Sequence, residues 1–337
     1  MARLAPPWPG AVAVSGGADS IALMLLLAGW AKAGNRPAPV VLTVDHGLHG
    51  NAAKDAAAVV KRAKALGLDA HVLAWKGAKP KSDIEAEARE ARYRLMGGWC
   101  AQHKLAALYV AHTRDDQAET FLLRLARGSG LDGLAGMRAL GSYPIAEFAA
   151  LRIVRPLLGF GRAGLRDYLK AGRADWIEDP MNADPRFARS RIRAAWPRLG
   201  ELGLTPVRVA DAADHLARAR EALEADTAMF LRRAAQAGEA GMLLDALRLK
   251  TVPREVGLRA LAHLLSAVGG DAYRPRFDSL ERLFDSILLG TLGNGATLHG
   301  CKVGPAPRAT AIFGSATLLI APEIGSKSLE KSAARPK

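Results

Sequence analysis

Cysteine is nearly absent: Cys100 and Cys301 are the only two in 337 residues. They lie far apart and in no C-x-x-C pattern, which argues against a disulfide framework, a zinc knuckle and an iron–sulfur site and makes a reducing compartment the default. Long apolar runs are missing too. No stretch approaches the ~18 residues of a membrane span, and the start, Met1-Ala2-Arg3-Leu4-Ala5-Pro6-Pro7-Trp8, has no apolar core of a leader peptide. The chain reads as cytosolic. Acidic residues are in deficit: Lys and Arg number 47 against 33 Asp and Glu, for a net charge of +14 and a pI near 10.1. That surplus points to a polyanionic partner, nucleic acid first, because no basic amphipathic helix singles out a membrane. An arginine- and alanine-rich coding bias would write the same surplus, so charge alone does not decide. Hydrophobic content of 50 % fits a soluble globular protein, and a length beyond the ~100–200 residues of one domain predicts two.

Around one short stretch the rest is organised. Ala11 to Val14 reads as a buried strand, Ser15-Gly16-Gly17-Ala18-Asp19-Ser20 as a turn, and Ile21 to Leu27 as the opening of a helix. The start of that helix leaves backbone N–H groups unpaired, its dipole favours negative charge, and Ser15 and Ser20 add hydroxyl donors. The expected guest is phosphate. No lysine follows these glycines and they do not form G-x-G-x-x-G, so neither an ordinary Walker loop nor a dinucleotide fold is favoured. Ser-Gly-Gly-x-Asp-Ser instead resembles the PP-loop of the ATP pyrophosphatases, which cradles the β,γ-pyrophosphate while the α-phosphate is attacked. At Gly17 a β-branched side chain is expected to crowd that group and to meet a positive φ.

Apolar strands recur at Val40–Val44, Ala70–Trp75 and Ala106–Ala111, with helices at Ala52–Leu66 and Asp83 to about His103, the latter capped by Ser82. This alternation predicts a parallel sheet covered on both faces. Ligands of such sheets bind at the carboxyl ends of strands. The rule selects Ser15–Ser20, Asp45-His46-Gly47 and His112-Thr113-Arg114-Asp115-Asp116, and assigns Asp45, His46 and His112 to the nucleotide. Asp116, Glu119, Thr120 and Arg127 follow at helical spacings of three and four. Such carboxylates hold Mg²⁺ or take a proton, whereas Asp115 reads as a complement to the helix dipole. Gly128 to Met137 reads as a flexible loop placed to act as a lid. Further on come a strand at Leu151–Val154 ending in Arg155-Pro156, a helix from Gly161 to Lys170, a rigid turn at Asp179–Pro185, and Arg186 to Arg193, whose alternating arginines suit a phosphate backbone. Composition shifts after Pro197 and Pro206. Helices are then expected at Asp211 to about Ala237, Pro253–Leu265 and Phe277–Leu288, a small β end at Ala296–His299 and Ala316–Ala321, and a frayed tail from Gly325.

The resemblance extends well beyond the PP-loop. Thr43-Val44-Asp45-His46-Gly47-Leu48, Glu85 to Tyr93, Ala111-His112-x-x-Asp115-Asp116-Gln117-x-Glu119-Thr120, Arg127-Gly128-x-Gly130-x-x-Gly133-Leu134-x-Gly136-Met137 and Asp179-Pro180-x-Asn182-x-Asp184-x-x-Phe187 together resemble the tRNA(Ile)-lysidine synthetases over most of residues 10–195. His49 and Ser190 depart from the pattern, where arginine and asparagine are usual. The resemblance implies an α/β, Rossmann-like parallel sheet with a PP-loop in residues 1–205. It also implies a smaller, mostly helical tRNA-binding region in 206–325, followed by the tail at 326–337. That second part is short beside longer family members, which implies that a complete further C-terminal tRNA-binding domain is missing.

The implied reaction joins free lysine to the wobble cytidine of an isoleucine tRNA with a CAU anticodon, using ATP and Mg²⁺. The cytosine 2-carbonyl oxygen attacks the α-phosphate, pyrophosphate leaves into the Ser15–Ser20 cradle, and the lysine amine displaces AMP. Deprotonating that amine at neutral pH costs about 4–5 kcal/mol. A carboxylate base is therefore expected, Asp116 first and Glu119 second, with Arg127 as a catalytic cation and Asp19 and Asp116 as metal ligands. Ser15, Gly16, Gly17, Ala18, Asp19 and Ser20 bind ATP with Asp45, His46 and His112. Arg89 and Arg92, which composition alone would place on a solvated face, join Arg189, Arg191 and Arg193 as tRNA-binding residues. Homodimerisation stays open. A tRNA thiolase would need persulfide-forming or cluster-binding cysteines, and Cys100 beside Trp99 on an apolar helix reads as packing. A glutamine amidotransferase would need a nucleophilic cysteine at its start or a glutaminase domain, and a plain nucleic-acid-binding module leaves the strand-end clusters unexplained.

Overall fold

The computed structural model describes residues 5–323 apart from 49, 78, 80–82, 179–183, 185 and 271–274. The Ser82 cap, His49, most of the expected turn at 179–185 and the tail at 326–337 lie outside the described residues. The chain divides into two compact units, Met1–Ala217 and Arg218–Lys337.

The first unit alternates strand and helix: β1 (Gly10–Ala13), α1 (Ala18–Ala33), β2 (Val40–Asp45), α2 (Ala52–Ala65), β3 (Ala70–Ala74), α3 (Ile84–Gln102), β4 (Ala107–Tyr109) and α4 (Arg114–Leu125). There follow α5 (Leu131–Leu134), β5 (Leu140–Ser142), β6 (Arg152–Val154), α6 (Arg162–Ala171), α7 (Ala188–Glu201) and α8 (Pro206–Ala234), the last spanning the division. Six strands form one sheet in the order β3-β2-β1-β4-β6-β5, parallel except for the edge strand β5. The period-two rule of strands sorts its core. Ala11, Leu42, Leu108 and Ile153 pack with Tyr93, Met96 and Cys100 of α3. Their neighbours Val12, Val41, Tyr109 and Val154 pack on the opposite face against Ile21, Met24 and Leu27 of α1, Val59 of α2 and Leu165 and Leu169 of α6. Both faces are covered, so the strands read as unbroken apolar runs.

The expected helices and parallel strands are present with ends shifted by a few residues. Three local readings change. β5 was hidden in a three-residue segment, Leu-Gly-Ser, too short to show a period. Residues 188–201, read only as an arginine-bearing segment and a composition shift after Pro197, form helix α7, which runs through that proline. The supposed lid is fastened: Gln117 donates Nε2–H to the Met137 carbonyl at 2.9 Å and accepts the Met137 N–H at 2.7 Å, while Arg124 donates to the Gly133 carbonyl at 2.6 Å. Buried polar groups need such partners, and Gln117 supplies them across the glycine loop.

In the second unit β7 (Ala235–Gly238), β8 (Gly241–Asp245), α9 (Ala246–Thr251), α10 (Arg254–Gly269), α11 (Phe277–Leu289), β9 (Ala296–Leu298), β10 (Cys301–Pro305), α12 (Thr310–Phe313) and β11 (Thr317–Pro322) follow in turn. The strands form an antiparallel sheet ordered β7-β8-β11-β10-β9. Leu261, Leu265, Leu283, Phe284 and Ile287 of its helices pack onto Leu244, Val303 and Ile320. The sequence pattern had shown only β9 and β11 of this sheet. No helix among the described residues is long and apolar enough to cross a membrane.

Candidate active site at the sheet's switch point

Strand order reverses between β1 and β4, whose next neighbours lie on opposite sides. The loops leaving their carboxyl ends therefore part and open a crevice. A cavity of about 940 Å³ lies there, lined by Ser15, Gly17 and Asp19 after β1, by His46 after β2, by His112 and Asp116 after β4, and by Arg162 of α6.

The loop after β1 is braced by its own serines. Ser20 Oγ donates to the Gly17 carbonyl at 2.8 Å, lies 3.3 Å from Ser15 Oγ and accepts the Ser15 N–H at 3.2 Å. Gly17 is the N-cap of α1 and has no side chain to cap it, so the first N–H groups of the helix are left for an anion. The two glycines have different duties. Gly16 holds a φ of +93°, and a Cβ there would stand 2.7 Å from Ile177 Cδ1. Its carbonyl accepts the Ile177 N–H at 2.9 Å. Gly17 has φ −70°, and a Cβ would meet nothing closer than Ser15 Oγ at 3.8 Å. The positive φ expected at Gly17 thus belongs to Gly16, and a side chain at Gly17 would enter the cavity.

Next to this cradle three carboxylates share one arginine. Arg162 donates from Nε to Asp19 at 3.2 Å, from Nη2 to Asp116 at 2.5 Å and from Nη1 to Glu119 at 2.7 Å. Glu119 has no exposed surface and is also held by Arg193 at 2.7 and 3.2 Å, and Arg189 reaches Asp116 at 3.4 Å. Asp116 is in addition the third residue of a capping box: its Oδ2 accepts the Thr113 N–H at 2.8 Å and the Thr113 hydroxyl at 2.9 Å. Burial works against its ionisation, but the Arg162 guanidinium and these Thr113 bonds outweigh it and hold the carboxyl below the usual range. In Asp19 burial prevails over Arg162, and with Asp116 nearby the carboxyl is raised. Asp115 accepts the Arg162 backbone N–H at 2.9 Å and so fastens the start of α6.

His112 stands at the end of β4. Burial, reinforced by Arg155, Arg89 and Arg189 against the pull of Asp116, drives its pKa down to about 3, so the ring is neutral. Asp45 Oδ1 accepts the Gly47 N–H at 3.1 Å and shapes the turn beside His46. Arg89 and Arg92 line the cavity from α3, with the Arg89 guanidinium 5.1 Å over the Tyr93 ring. Among the described residues no group of three or more His, Cys, Asp or Glu side chains is arranged to hold a metal ion. Magnesium usually takes only one or two carboxylates beside phosphate oxygens. Asp19 and Asp116 converge on a single cation position, filled by Arg162, and fit such an ion.

Of the residues expected from sequence, Ser15, Gly17, Ala18, Asp19, Ser20, His46, His112, Asp116, Arg89, Arg92, Arg189 and Arg193 line this one cavity. Gly16 and Asp45 shape the adjoining turns, and Glu119 lies behind Arg162 and Arg193. Arg127 sits exposed in the turn after α4 and does not line the cavity. Arg191 points away from Asp116 and Glu119: it is exposed and donates to the Arg186 carbonyl at 3.0 Å. On a helix, arginines four apart share a face and the one between them does not, so α7 separates Arg191 from Arg189 and Arg193. Arg162 and Arg155 were missed. The strand-end rule applied to β6 would have marked them.

A family model of the PP-loop domain ATP_bind_3 matches residues 9–199. The chain is 38 % identical over 295 residues to the tRNA(Ile)-lysidine synthase of Wolbachia pipientis wMel, covering 87 % of this chain and 67 % of that one. It is 41 % identical to the enzyme of the same name from Ruegeria pomeroyi, over 88 % and 72 % of the two chains. To that of Methylobacterium nodulans it is 42 % identical, over 88 % and 85 %.

The contrast between the glycines is testable by denaturant melts and nucleotide titration. Gly16→Ala should cost about 1–3 kcal/mol of stability, the range for a residue forced into a sparsely populated backbone region. Gly17→Val should cost about 1 kcal/mol, as for loss of a glycine cap, yet abolish nucleotide binding. Unimpaired nucleotide binding by Gly17→Val, or a Gly16→Ala variant as stable as the parent, would contradict the assignment.

The raised pKa of Asp19 gives a sign for pH dependence. A carboxyl that binds its proton more tightly when folded lowers stability as pH rises from its unfolded pKa through its folded one. Asp19→Asn should therefore be more stable than the parent at neutral pH, with the difference vanishing in acid, while nucleotide turnover is lost. Urea midpoints measured at pH 4 and pH 7 decide this.

Proposed function

The chain belongs to the tRNA(Ile)-lysidine synthase family of PP-loop proteins, and from that premise we propose that it joins free lysine to C2 of the wobble cytidine of a CAU-anticodon isoleucine tRNA. ATP is consumed and AMP and pyrophosphate are released. The observation that carries this reading is the meeting, in one cavity, of a helix N-terminus without a Walker lysine, a neutral histidine and a carboxylate–arginine cluster.

Each part has a task. The N–H groups opening α1, with Ser15 and Ser20, receive the β- and γ-phosphates. The cytosine 2-oxygen attacks the α-phosphorus, the bond to the β-phosphate breaks, and an adenylated base is left. The lysine amine then attacks C2, the C2–O bond breaks and AMP leaves. Asp19 and Asp116 would hold Mg²⁺ at the phosphates, which when bound offsets charge on the leaving pyrophosphate. Asp116, ionised at neutral pH, is suited to hold the incoming ammonium. Movement of Arg162 away from it would raise its basicity and let it accept the proton. Arg89, Arg92, Arg189 and Arg193 make the cavity positive toward the tRNA, Arg191 faces the outside for backbone phosphates, and residues 206–325 are assigned to tRNA binding in their own right. The buried thiols speak against thiolation: burial pushes Cys100 up to about 12, and Cys301 is also buried.

The reaction is checked by incubating the protein with ATP, Mg²⁺, lysine and a CAU-anticodon isoleucine tRNA transcript. The expected products are AMP, pyrophosphate and a lysine-bearing tRNA. ADP in place of AMP would refute the choice of phosphate, and AMP without lysine incorporation would refute the choice of nucleophile.

Arginines that face inward and outward on α7 should differ in salt dependence. Arg191→Ala should remove about one unit, or somewhat less, from the log–log salt slope of tRNA binding and leave ATP affinity unchanged. Arg193→Ala should lower activity through the Glu119 cluster. An unchanged slope for Arg191→Ala would make that arginine a local strut.

A further inference from the structure

We propose that Arg155 is a positioning residue that locks His112 as a neutral imidazole with its proton on Nε2, so that His112 serves as a fixed hydrogen-bond donor to a phosphoryl oxygen of the nucleotide and not as a proton shuttle.

The geometry begins at the sheet edge. Arg155 directly follows β6, and its backbone N–H donates to the Ala139 carbonyl at 2.8 Å, continuing the pairing with β5. Its guanidinium is fixed at both ends. Nη1 donates to the Arg138 carbonyl at 2.9 Å, and Nε donates to His112 Nδ1 at 3.3 Å. Arginine has donors only. The imidazole nitrogen facing it must therefore present a lone pair, which rules out both the doubly protonated ring and the Nδ1–H tautomer. One arrangement remains, with the proton on Nε2.

The surroundings favour the same state. Arg155 just after β6, Arg89 on α3 and Arg189 on α7 face the ring as cations, and Asp116 on α4 opposes them, itself engaged by Arg162, Thr113 and Arg189. His112 lines the cavity beside Ser15 and Asp19. An N–H held at a site of developing phosphoryl charge stabilises it without reorganising. The role of the ring in turnover rests on the function proposed above, whereas its tautomer does not.

The two are separated by measuring them independently. Two-bond ¹H–¹⁵N correlation spectra of the full chain, labelled at its 8 histidines and assigned for His112 with the His112→Gln variant, should show the Nε2–H pattern unchanged from pH 5 to pH 9. In Arg155→Met the ring should populate Nδ1–H, while burial, Arg89 and Arg189 still hold it neutral. Arg155→Gln, whose amide can still donate, should restore the parent pattern. A parent ring that titrates between pH 5 and pH 8, that carries its proton on Nδ1, or that ignores Arg155→Met overturns the proposal whatever the reaction proves to be.

Turnover then tests the donor's use. His112→Gln, whose amide nitrogen substitutes for Nε2, should keep more AMP formation than His112→Asn, whose amide substitutes for Nδ1. The latter should fall by about 10²–10³-fold, as for loss of one preorganised donor. Arg155→Met should lower kcat more than it raises KM for ATP, with Arg155→Gln recovering most of the loss. The opposite order of Gln and Asn at position 112 would refute the Nε2–H role, while absence of AMP from the parent enzyme would refute the function and leave the tautomer result standing.

Discussion

The meeting of three carboxylates at one sheet edge, Asp116 and Glu119 buried and Asp19 half-buried, is the constraint on which the site depends. Asp19, Asp116 and Glu119 come from α1 and α4, and a charge removed from water without a partner costs several kcal/mol. The Arg162 guanidinium satisfies all three, because its planar fork places Nε, Nη1 and Nη2 donors toward different acceptors. Lysine, a single point charge, could not span them. In meeting this demand Arg162 also joins α1, α4 and α6, and Asp115 returns the bond by accepting the Arg162 backbone N–H. Arg189 and Arg193 bring α7 to the same centre. A set of helices far apart in sequence is thereby tied together around the spot where a nucleotide's phosphates would lie.

Such a cluster is well suited to exchange partners. In the proposed reaction Mg²⁺ and the lysine ammonium would supply cations at this cluster, so that substrate charge would be traded for arginine with little net desolvation. In Asp116 the Arg162 guanidinium and the Thr113 bonds outweigh burial and hold the carboxyl below the usual range, whereas in Asp19 burial prevails and raises it. The phosphate cradle next door uses another means. Ser15 to Ser20 include no Lys or Arg, and the cradle relies on the N–H groups at the start of α1, left available because Gly17 caps the helix without a side chain.

Much of this was legible in the residues. Strands β1 to β4 and their helices appear as apolar runs and amphipathic segments because a doubly covered parallel sheet demands them. The strand-end rule alone brings Ser15, Asp19, His46, His112 and Asp116 together. Less was legible where a segment is too short to display a period, as in Leu140–Ser142, or where helix and strand meet without a turn signal, as at Ala234 and Ala235. Nor does the glycine-rich stretch 128–137 reveal that Gln117 pins it, because glycine content reports permitted turns and not the bonds that close them.

Local sequence determined strands β1 to β4, which residues follow them, and that the chain offers an anion a helix start without a lysine. These are properties of a few consecutive residues and of their periodicity. Tertiary structure alone decided which arginine neutralises which carboxylate. Arg162 looks like an ordinary residue opening an amphipathic helix, and Arg189, Arg191 and Arg193 look equivalent until the 3.6-residue turn of α7 directs two inward and one outward. It likewise decided that Gly16 and not Gly17 needs the positive φ, since that follows from where Ile177, more than 150 residues away, is laid against the loop. Pairings of this kind depend on the strand order of the sheet, which no stretch of the chain carries by itself.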